Sequence, residues 1–180
     1  MIYILISILF LFILIVIILY GVYLVNSFFT DAPYVPVKKR VIDKIIETLN
    51  LNENAVLYDL GCGDGRVLLE AIKKRGVKAI GVEKNFIVYL FTKYITRKTS
   101  IKIICKDIDN VSIKDATHIY LYLFPKIMDK LKNKILLECQ KGTRIVSCSF
   151  MFASILPDEV IELPQTKDRM CQKLYVYILK

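Results

Sequence analysis

The chain has 180 residues, with 26 basic and 17 acidic side chains that give a formal net charge of +9 at pH 7. Its single histidine, His118, excludes a histidine-based metal cluster or catalytic triad. The five cysteines are odd in number and show no C-x-x-C spacing, so they favour a reducing compartment and argue against a disulfide framework or a zinc site. We therefore expect no bound metal.

The first predicted element is an apolar helix at the N terminus. Residues 2–25 contain no charged side chain and consist mainly of Ile, Leu, Val and Phe. A helix of about 24 residues would span roughly 36 Å, enough to cross a hydrocarbon core of about 30 Å. The segment lacks the basic start and the small-residue cleavage site of a secretory signal peptide. We therefore interpret residues 1–25 as a single transmembrane anchor.

The charge distribution predicts the side of the membrane on which the rest of the chain lies. All 43 charged residues follow the anchor, and the first basic cluster is Lys38, Lys39 and Arg40. By the positive-inside tendency, the domain faces the cytoplasm or the mitochondrial matrix. A basic chain can also bind nucleic acid, but these lysines are scattered through predicted helices rather than interleaved with exposed aromatic residues. We therefore favour the membrane, rather than nucleic acid, as the partner of the basic surface.

After a proline-containing connector at residues 26–40, the predicted elements alternate. An amphipathic helix at 41–49 precedes strands and helices in the order strand 56–60, helix 67–75, strand 78–83, helix 86–97, strand 101–106, strand 117–123, helix 125–139 and strand 143–149. Such alternation indicates a mostly parallel α/β sheet with helices on both faces. Residues 159–163 and 173–179 read as a closing hairpin, so residues 41–180 form one domain.

A glycine-rich turn follows the first of these strands, in the run V-L-Y-D-L-G-C-G-D-G-R at residues 56–66. Glycines at 61, 63 and 65 let the backbone approach a ligand closely. A dinucleotide fingerprint would be G-x-G-x-x-G, but here the third glycine comes one residue early and Arg66 takes its place. Asp59 and Asp64 would repel a pyrophosphate, and they could hold an amino group. The turn therefore favours a ligand with a nucleoside and a cationic, amino-acid-like end.

Two more acidic residues close the next strands at even spacing. Glu83 comes 24 positions after Asp59, and Asp107 comes another 24 positions later. An acidic residue at the end of the second strand can accept hydrogen bonds from ribose hydroxyls. Solvated strand ends are the simpler alternative for either residue alone.

The motif D-L-G-C-G-D-G-R resembles the first motif of class I S-adenosylmethionine-dependent methyltransferases. The resemblance implies a Rossmann-like seven-stranded sheet with a terminal antiparallel hairpin, S-adenosylmethionine as cofactor, and Asp107 near the adenine. The candidate cofactor-binding residues are Asp59, Gly61, Cys62, Gly63, Asp64, Gly65, Glu83, Lys84 and Asp107.

Three further stretches narrow the resemblance to a small family of protein-lysine methyltransferases. They are F-F-T-D-A-P-Y-V-P at 28–36, I-Y-L-Y-L-F-P-K-I-M-D-K-L at 119–131 and G-T-R-I-V-S-C-S-F at 142–150. That family includes membrane-anchored mitochondrial enzymes acting on the ATP synthase c subunit and the adenine nucleotide translocase, and a soluble archaeal relative. The resemblance implies a protein substrate in or near the membrane.

The fourth strand helps to separate acceptor classes. Enzymes that methylate planar amino groups often carry an Asp/Asn-Pro-Pro-Tyr/Phe tetrad there, whereas this chain has Y-L-F-P at 122–125. Aromatic walls could bind a lysine stem through cation–π attraction. The candidate catalytic residues are Tyr34, Tyr122 and Phe124 as walls and Asp31 as proton acceptor, although Tyr122 and Phe124 could also be ordinary strand core. A methyltransferase for a lipophilic small molecule or RNA, and a non-catalytic assembly factor, remain the alternatives.

Overall fold

A computed structural model describes residues 2–29, 39–163 and 171–180, and it divides into two compact units, Met1–Pro33 and Tyr34–Lys180. The first unit consists of helix α1 (Ile2–Phe29), which continues four residues beyond the predicted anchor. Within it, Ile2–Leu24 is long and apolar enough to cross a membrane, and its side chains are not buried in the protein.

The second unit contains four helices, a short 3-10 helix and seven strands within its described residues. These are α2 (Lys39–Leu49), β1 (Val56–Leu60), α3 (Arg66–Arg75), β2 (Lys78–Glu83), α4 (Phe86–Thr96), β3 (Lys102–Cys105), the 3-10 helix (Ile108–Asn110), β4 (His118–Leu121), α5 (Pro125–Glu138), β5 (Arg144–Cys148), β6 (Glu159–Glu162) and β7 (Lys173–Ile178). The predicted elements are confirmed with boundaries that differ by one or two residues; the 3-10 helix was not predicted.

The seven strands form one sheet in the order β3-β2-β1-β4-β5-β7-β6. Strands β1 to β5 are parallel, and β7 pairs antiparallel with both β5 and β6. The predicted seven-stranded sheet with a terminal antiparallel hairpin is therefore confirmed. The strand order reverses between β1 and β4, and open α/β sheets bind ligands in the crevice beyond the carboxyl ends of the strands at such a point.

Each face of the sheet has its own hydrophobic core. One core contains apolar residues of α2 and α3, such as Ile45 and Leu68, packed with Leu57 of β1. The other contains Met128 and Leu131 of α5, packed on the opposite face of the sheet. The helices cover both faces and leave the carboxyl edge of the strands open for a site.

Short sequence signals fix the ends of these helices. Gly76 ends α3 in a left-handed conformation (φ 64°), with its N–H donating to the carbonyl of Ile72. Pro125 opens α5 at a position where its missing N–H costs no helical hydrogen bond. Because β1 and β4 are parallel, the turn motif that follows β1 and the Y-L-F-P stretch that follows β4 lie at the same edge of the sheet.

The cysteine pattern argued against disulfides, and this expectation is wrong for one pair, because Cys148 and Cys171 form a disulfide. Cys148 ends β5 and Cys171 lies just before β7, and the antiparallel pairing of these strands brings their Cα atoms within 6.2 Å. The spacing of cysteines along the sequence does not reveal strand pairing, so this contact was missed. Cys62, Cys105 and Cys139 are free.

Candidate functional site

The turn between β1 and α3 is packed so closely that two of its positions require glycine. Gly61 (φ 86°) and Gly65 (φ 74°) have left-handed conformations. A Cβ atom on Gly61 would lie 2.9 Å from Leu123 Cδ2, and one on Gly65 would lie 2.9 Å from Thr92 Cγ2. Side chains from two other parts of the chain therefore press on this turn and fix its shape.

Hydrogen bonds hold the same turn against the end of β2 and against α4. The backbone N–H groups of Gly61 and Cys62 donate to the carbonyl of Val82 over 2.8 and 3.0 Å. The hydroxyl of Thr92 donates to the carbonyl of Gly63. The turn is thus preorganised by the chain itself, which reduces the entropy that a ligand must overcome on binding.

Glu83 joins the turn to the start of α4 through both of its carboxylate oxygens. Its Oε2 accepts a hydrogen bond from the N–H of Gly63 over 3.1 Å, and its Oε1 accepts one from the N–H of Asn85 over 2.8 Å. Each carboxylate oxygen has a second lone pair, so Glu83 can also accept hydrogen bonds from ligand hydroxyls. Its predicted contact with a ribose is compatible with this geometry and stays a prediction.

Asp59 is the buried acid of the site, with 3% of its surface exposed. Burial raises the pKa of its carboxyl well above the ordinary range, and the negative charges of Glu83 and Asp64 raise it further. Three acidic residues, Asp59, Glu83 and Asp64, therefore lie close together at the carboxyl edge of the sheet, and we call them the acidic edge. A cationic group placed there would offset their repulsion and favour the ionised form of Asp59.

Tyr120 lies beside Asp59, because the two residues are register partners in the parallel strands β4 and β1. Its hydroxyl is buried, and within the described part of the chain no hydrogen-bond partner is found for it. Burial raises the pKa of Tyr120, and the nearby Asp59 and Tyr122 raise it further. A buried hydroxyl without a partner beside a buried acid fits a polar ligand group that supplies the missing hydrogen bond.

Asp64 and Arg66 form a close ion pair at the start of α3. The Arg66 Nε lies 2.9 Å from both carboxylate oxygens of Asp64, and the Arg66 N–H donates to Asp64 Oδ1 over 3.2 Å. The arginine that replaces the third glycine of a dinucleotide motif is thus engaged with an acid of the same turn. Asp64 is a less available partner for a ligand than Asp59.

Asp107 and Lys84 are paired at the ends of β3 and β2. Lys84 Nζ lies 2.9 Å from Asp107 Oδ2, and Asp107 Oδ1 accepts a hydrogen bond from the N–H of Asp109. Both contacts lower the pKa of Asp107, that of Lys84 most strongly. Asp107 is ionised and neutralised locally. The predicted position of Asp107 near an adenine remains a proposal, as does the predicted contact of Lys84 with the cofactor.

Cys62 contributes its backbone to the turn rather than a reactive thiol. Its side chain is buried, and burial raises the pKa of the thiol, as does the charge of Asp59. A Cβ atom on Gly81 would lie 2.7 Å from the Cys62 sulfur, so the thiol packs tightly on β2. It acts as a small apolar side chain.

An aromatic rim lies at the ends of β4 and β5 and is defined by Tyr122, Phe124 and Phe150. Phe150 stacks on Tyr122 with ring centroids 6.5 Å apart and tilts against Phe124 at 5.4 Å. All three rings are half-buried, and Tyr122 packs against one hydrophobic core while Phe150 packs against the other, at the edges of these cores. The structure brings together the two aromatic residues that the sequence predicted and adds a third.

The position of Phe150 depends on a turn that the sequence did not reveal. Ser149 has a left-handed backbone (φ 68°), which is unfavourable for a residue with a side chain and recurs at functional sites. The hydroxyl of Ser147 donates to the carbonyl of Phe150 over 2.6 Å. These two features turn the chain sharply after β5 and direct it towards the end of β4.

Three other contributors were missed by sequence reasoning: Thr92, Tyr120 and Asn85. Of these, Asn85 carried a usable signal. It precedes an apolar helix, and its Oδ1 accepts hydrogen bonds from the N–H groups of Ile87 and Val88 as a helix cap. Thr92 and Tyr120 had no local signal, because their roles depend on contacts across the fold. The predicted catalytic residues Asp31 and Tyr34 lie in residues 30–38, outside the described residues.

Comparisons with a protein family, with individual proteins and with solved structures all match this chain to methyltransferases. The family described as the ANTKMT methyltransferase domain matches residues 59–159. A protein-lysine N-methyltransferase of Saccharolobus islandicus (strain REY15A) is 31% identical over 160 residues, covering 85% of this chain and 97% of the relative. The Mus musculus lysine N-methyltransferase named for the ATP synthase c subunit is 27% identical over 130 residues, covering 70% of this chain and 52% of the relative. The chain therefore spans about half the length of this mammalian relative.

A solved structure is also similar, that of an RNA methyltransferase from Salinibacter ruber in complex with S-adenosyl-L-homocysteine. It superposes with a TM-score of 0.74 and 27% sequence identity, covering 81% of this chain and 94% of that chain.

The raised pKa of Asp59 predicts an unusual effect on stability. Because this pKa is higher in the folded than in the unfolded chain, its stabilising contribution is present at low pH and is lost as pH rises through the folded value. We expect Asp59→Asn, without ligand, to unfold at a higher temperature than wild type at pH 7. The difference should shrink as the pH falls towards about 4.

Asp115→Asn is the matched control with the opposite sign. Burial disfavours the ionised form of Asp115, but hydrogen bonds from Tyr58 and Lys78 outweigh burial and lower its pKa. Its contribution is therefore present at neutral pH and lost as the pH falls. Asp115→Asn should unfold at a lower temperature at pH 7, and a similar loss in Asp59→Asn would contradict the role given to Asp59.

Proposed function

Because the chain belongs to the ANTKMT family of S-adenosylmethionine-dependent methyltransferases, we propose that it methylates the ε-amino group of lysine side chains in a protein substrate. The observation that carries this proposal is the aromatic rim of Tyr122, Phe124 and Phe150, which lies at the same edge of the sheet as the buried acid Asp59. The archaeal relative, named a protein-lysine N-methyltransferase and covered over 97% of its length, supports the same acceptor.

The residues of the acidic edge fit S-adenosylmethionine, which supplies a methyl group activated by its positively charged sulfur. Asp59 would bind the ammonium of the methionine end, where the converging carboxylates favour a cation. The hydroxyl of Tyr120 would gain a polar partner from the same end of the ligand. Glu83 would accept hydrogen bonds from the ribose while keeping its contacts with the turn. Lys84 and Asp107 would flank the adenine.

The aromatic rim would bind the acceptor lysine. Aromatic faces attract an alkylammonium through cation–π interactions, and a desolvated pocket lowers the pKa of a lysine so that the neutral nucleophile is more available. The rim would also hold the amine in line with the methyl group and exclude water. We further propose that Tyr34 adds a wall to this pocket and that Asp31 receives the proton. This part rests on the sequence resemblance, and Tyr34→Phe should then retain more activity than Tyr34→Ala.

RNA is the second candidate acceptor, since the similar solved structure from Salinibacter ruber is described as an RNA methyltransferase. The end of β4 weighs against it. The residues that follow this strand are aromatic or apolar, with Tyr122 and Phe124 in the rim and Leu123 packed on the turn. They offer no side-chain amide or carboxylate to hold the planar amino group of a base.

We also propose that α1 anchors the enzyme in a membrane, with the methyltransferase domain on the cytoplasmic or mitochondrial matrix side. The apolar span Ile2–Leu24 and the basic residues Lys39 and Arg40 at the start of α2 support this arrangement. Ile13→Trp would place a fluorophore in the span, whose emission should be quenched by brominated lipid. Emission insensitive to that lipid would contradict the anchor.

The donor site predicts a measurable loss of affinity in Glu83→Ala. Loss of hydrogen bonds to a charged group should weaken S-adenosylmethionine binding by about 1–3 kcal/mol, measured by calorimetry. Because Glu83 also accepts the N–H of Gly63, thermal unfolding must confirm that the variant is folded. Glu53→Ala, which removes an exposed loop carboxylate, is the control and should bind normally. Unchanged affinity in Glu83→Ala would remove Glu83 from the donor site.

The acceptor site predicts both the chemical product and the effect of its rim. With radiolabelled donor, total membrane protein and total RNA offered together, label should be recovered as methyl-lysine after acid hydrolysis. Phe124→Ala should lower kcat roughly tenfold by removing about 1–2 kcal/mol of cation–π stabilisation of the positive charge that develops on the lysine nitrogen during methyl transfer, while donor affinity changes little. Phe124→Tyr should retain most activity, and Leu156→Ala, at an exposed position, is the control. Label in RNA nucleotides would overturn the lysine acceptor.

A further inference from the structure

Helix α4 buries polar side chains and exposes apolar ones, the reverse of an ordinary surface helix. Its fully buried side chains are those of Thr92 and Thr96, whereas a surface helix normally buries its apolar residues. Six of its large apolar residues are exposed to between 37% and 64% and lie side by side along the helix, whereas Val88 and Tyr89 are partly buried. We call this exposed group the α4 face, and it consists of Phe86, Ile87, Leu90, Phe91, Tyr94 and Ile95.

The inward side of α4 has a structural explanation, but the outward side does not. Thr92 donates to the carbonyl of Gly63 and packs against Gly65, so a short polar side chain lets α4 approach the glycine-rich turn closely. No such contact requires large apolar residues on the α4 face, which the described residues of the domain leave exposed. A contiguous apolar patch of this kind normally marks an interaction surface.

The charges around the α4 face identify the kind of partner. Residues 84–106 contain six basic residues and no acidic residue, and one of the six, Lys84, is paired with Asp107 beyond this range. On α4 and just after it, Lys93 lies 5.4 Å from the ring centroid of Tyr89, and Arg97 lies 3.9 Å from that of Tyr94. Lys98 is also exposed, and within the described part of the chain none of these three basic residues pairs with a carboxylate. An apolar stripe edged by basic and tyrosine side chains is typical of helices that lie in a membrane interface.

We infer that the α4 face binds the surface of an anionic membrane, with its apolar side chains among the acyl chains and its basic residues at the headgroups. A second copy of the chain is a poorer partner, because two such faces would bring like charges together.

Lipid binding by α4 would act directly on the donor site. Helix α4 contacts the glycine-rich turn through the hydrogen bond from Thr92 to Gly63. Its cap residue Asn85 donates its backbone N–H to the carboxylate of Glu83, which also accepts the N–H of Gly63. A docked α4 would therefore hold the methyl-transfer site at headgroup depth, where it would meet lysines near the membrane surface. This consequence rests on the proposed lysine acceptor, whereas the lipid contact itself does not.

The absence of tryptophan from the chain allows a direct test. Single-tryptophan variants of the full chain, Ile13→Trp in α1, Phe91→Trp in the α4 face and Leu137→Trp on α5, are reconstituted in vesicles with or without phosphatidylglycerol. Leu137 is 85% exposed on a different helix and is the matched control. Blue-shifted emission and quenching by brominated acyl chains are measured for each variant.

We expect Phe91→Trp to be quenched severalfold more strongly than Leu137→Trp and to emit at shorter wavelength. Adding Lys93→Glu, Arg97→Glu and Lys98→Glu should reduce this quenching in anionic vesicles, and so should higher salt. Emission of Phe91→Trp that matches Leu137→Trp overturns the inference. A blue shift without lipid quenching also overturns it, because protein would then cover the face. Unquenched Ile13→Trp contradicts the membrane anchor, and quenching of Phe91→Trp in that case still supports lipid binding by α4.

Discussion

The two hydrogen bonds accepted by Glu83 are the contacts on which the rest of the site depends. One carboxylate holds the glycine-rich turn through Gly63 and the start of α4 through Asn85, so the end of β2 fixes both elements. The same carboxylate retains lone pairs that can accept further hydrogen bonds. Helix α4 adds a second connection through Thr92. The glycine-rich turn is therefore held in place by the chain itself, and the helix that contacts it also carries the α4 face.

The acidic edge illustrates how a binding site can oppose the stability of the fold. Asp59 is buried and lies near Glu83 and Asp64, so its ionisation is unfavourable in the free protein. The buried hydroxyl of Tyr120 without a described partner adds a further cost. A ligand with a cationic, hydrogen-bonding end relieves both costs. The site therefore favours such a ligand because the free protein leaves the Asp59 charge and the Tyr120 hydroxyl without a partner among the described residues.

Sequence reasoning predicted the parts of this structure that depend on local pattern. The strand–turn–helix around Gly61 and the order of strands and helices along the chain follow from periodicity and turn chemistry, and the sheet edge on which Glu83 lies follows from parallel pairing. The disulfide of Cys148 and the role of Thr92 depend on which distant elements meet, which no local pattern encodes. The α4 face was also missed, because the sequence shows that the helix is apolar but does not show which of its apolar residues are exposed.

Proton exchange on ligand binding tests the central claim, that the acidic edge holds the cationic end of S-adenosylmethionine. If the raised pKa of Asp59 falls when an ammonium binds beside it, binding must release a proton over the pH range in which the free carboxyl is protonated. Calorimetry in two buffers of different ionisation enthalpy measures this release at a series of pH values above the ordinary aspartate pKa of about 4. We predict release for wild type with both S-adenosylmethionine and S-adenosyl-L-homocysteine, and none for Asp59→Asn. Equal proton exchange in wild type and Asp59→Asn would contradict the account.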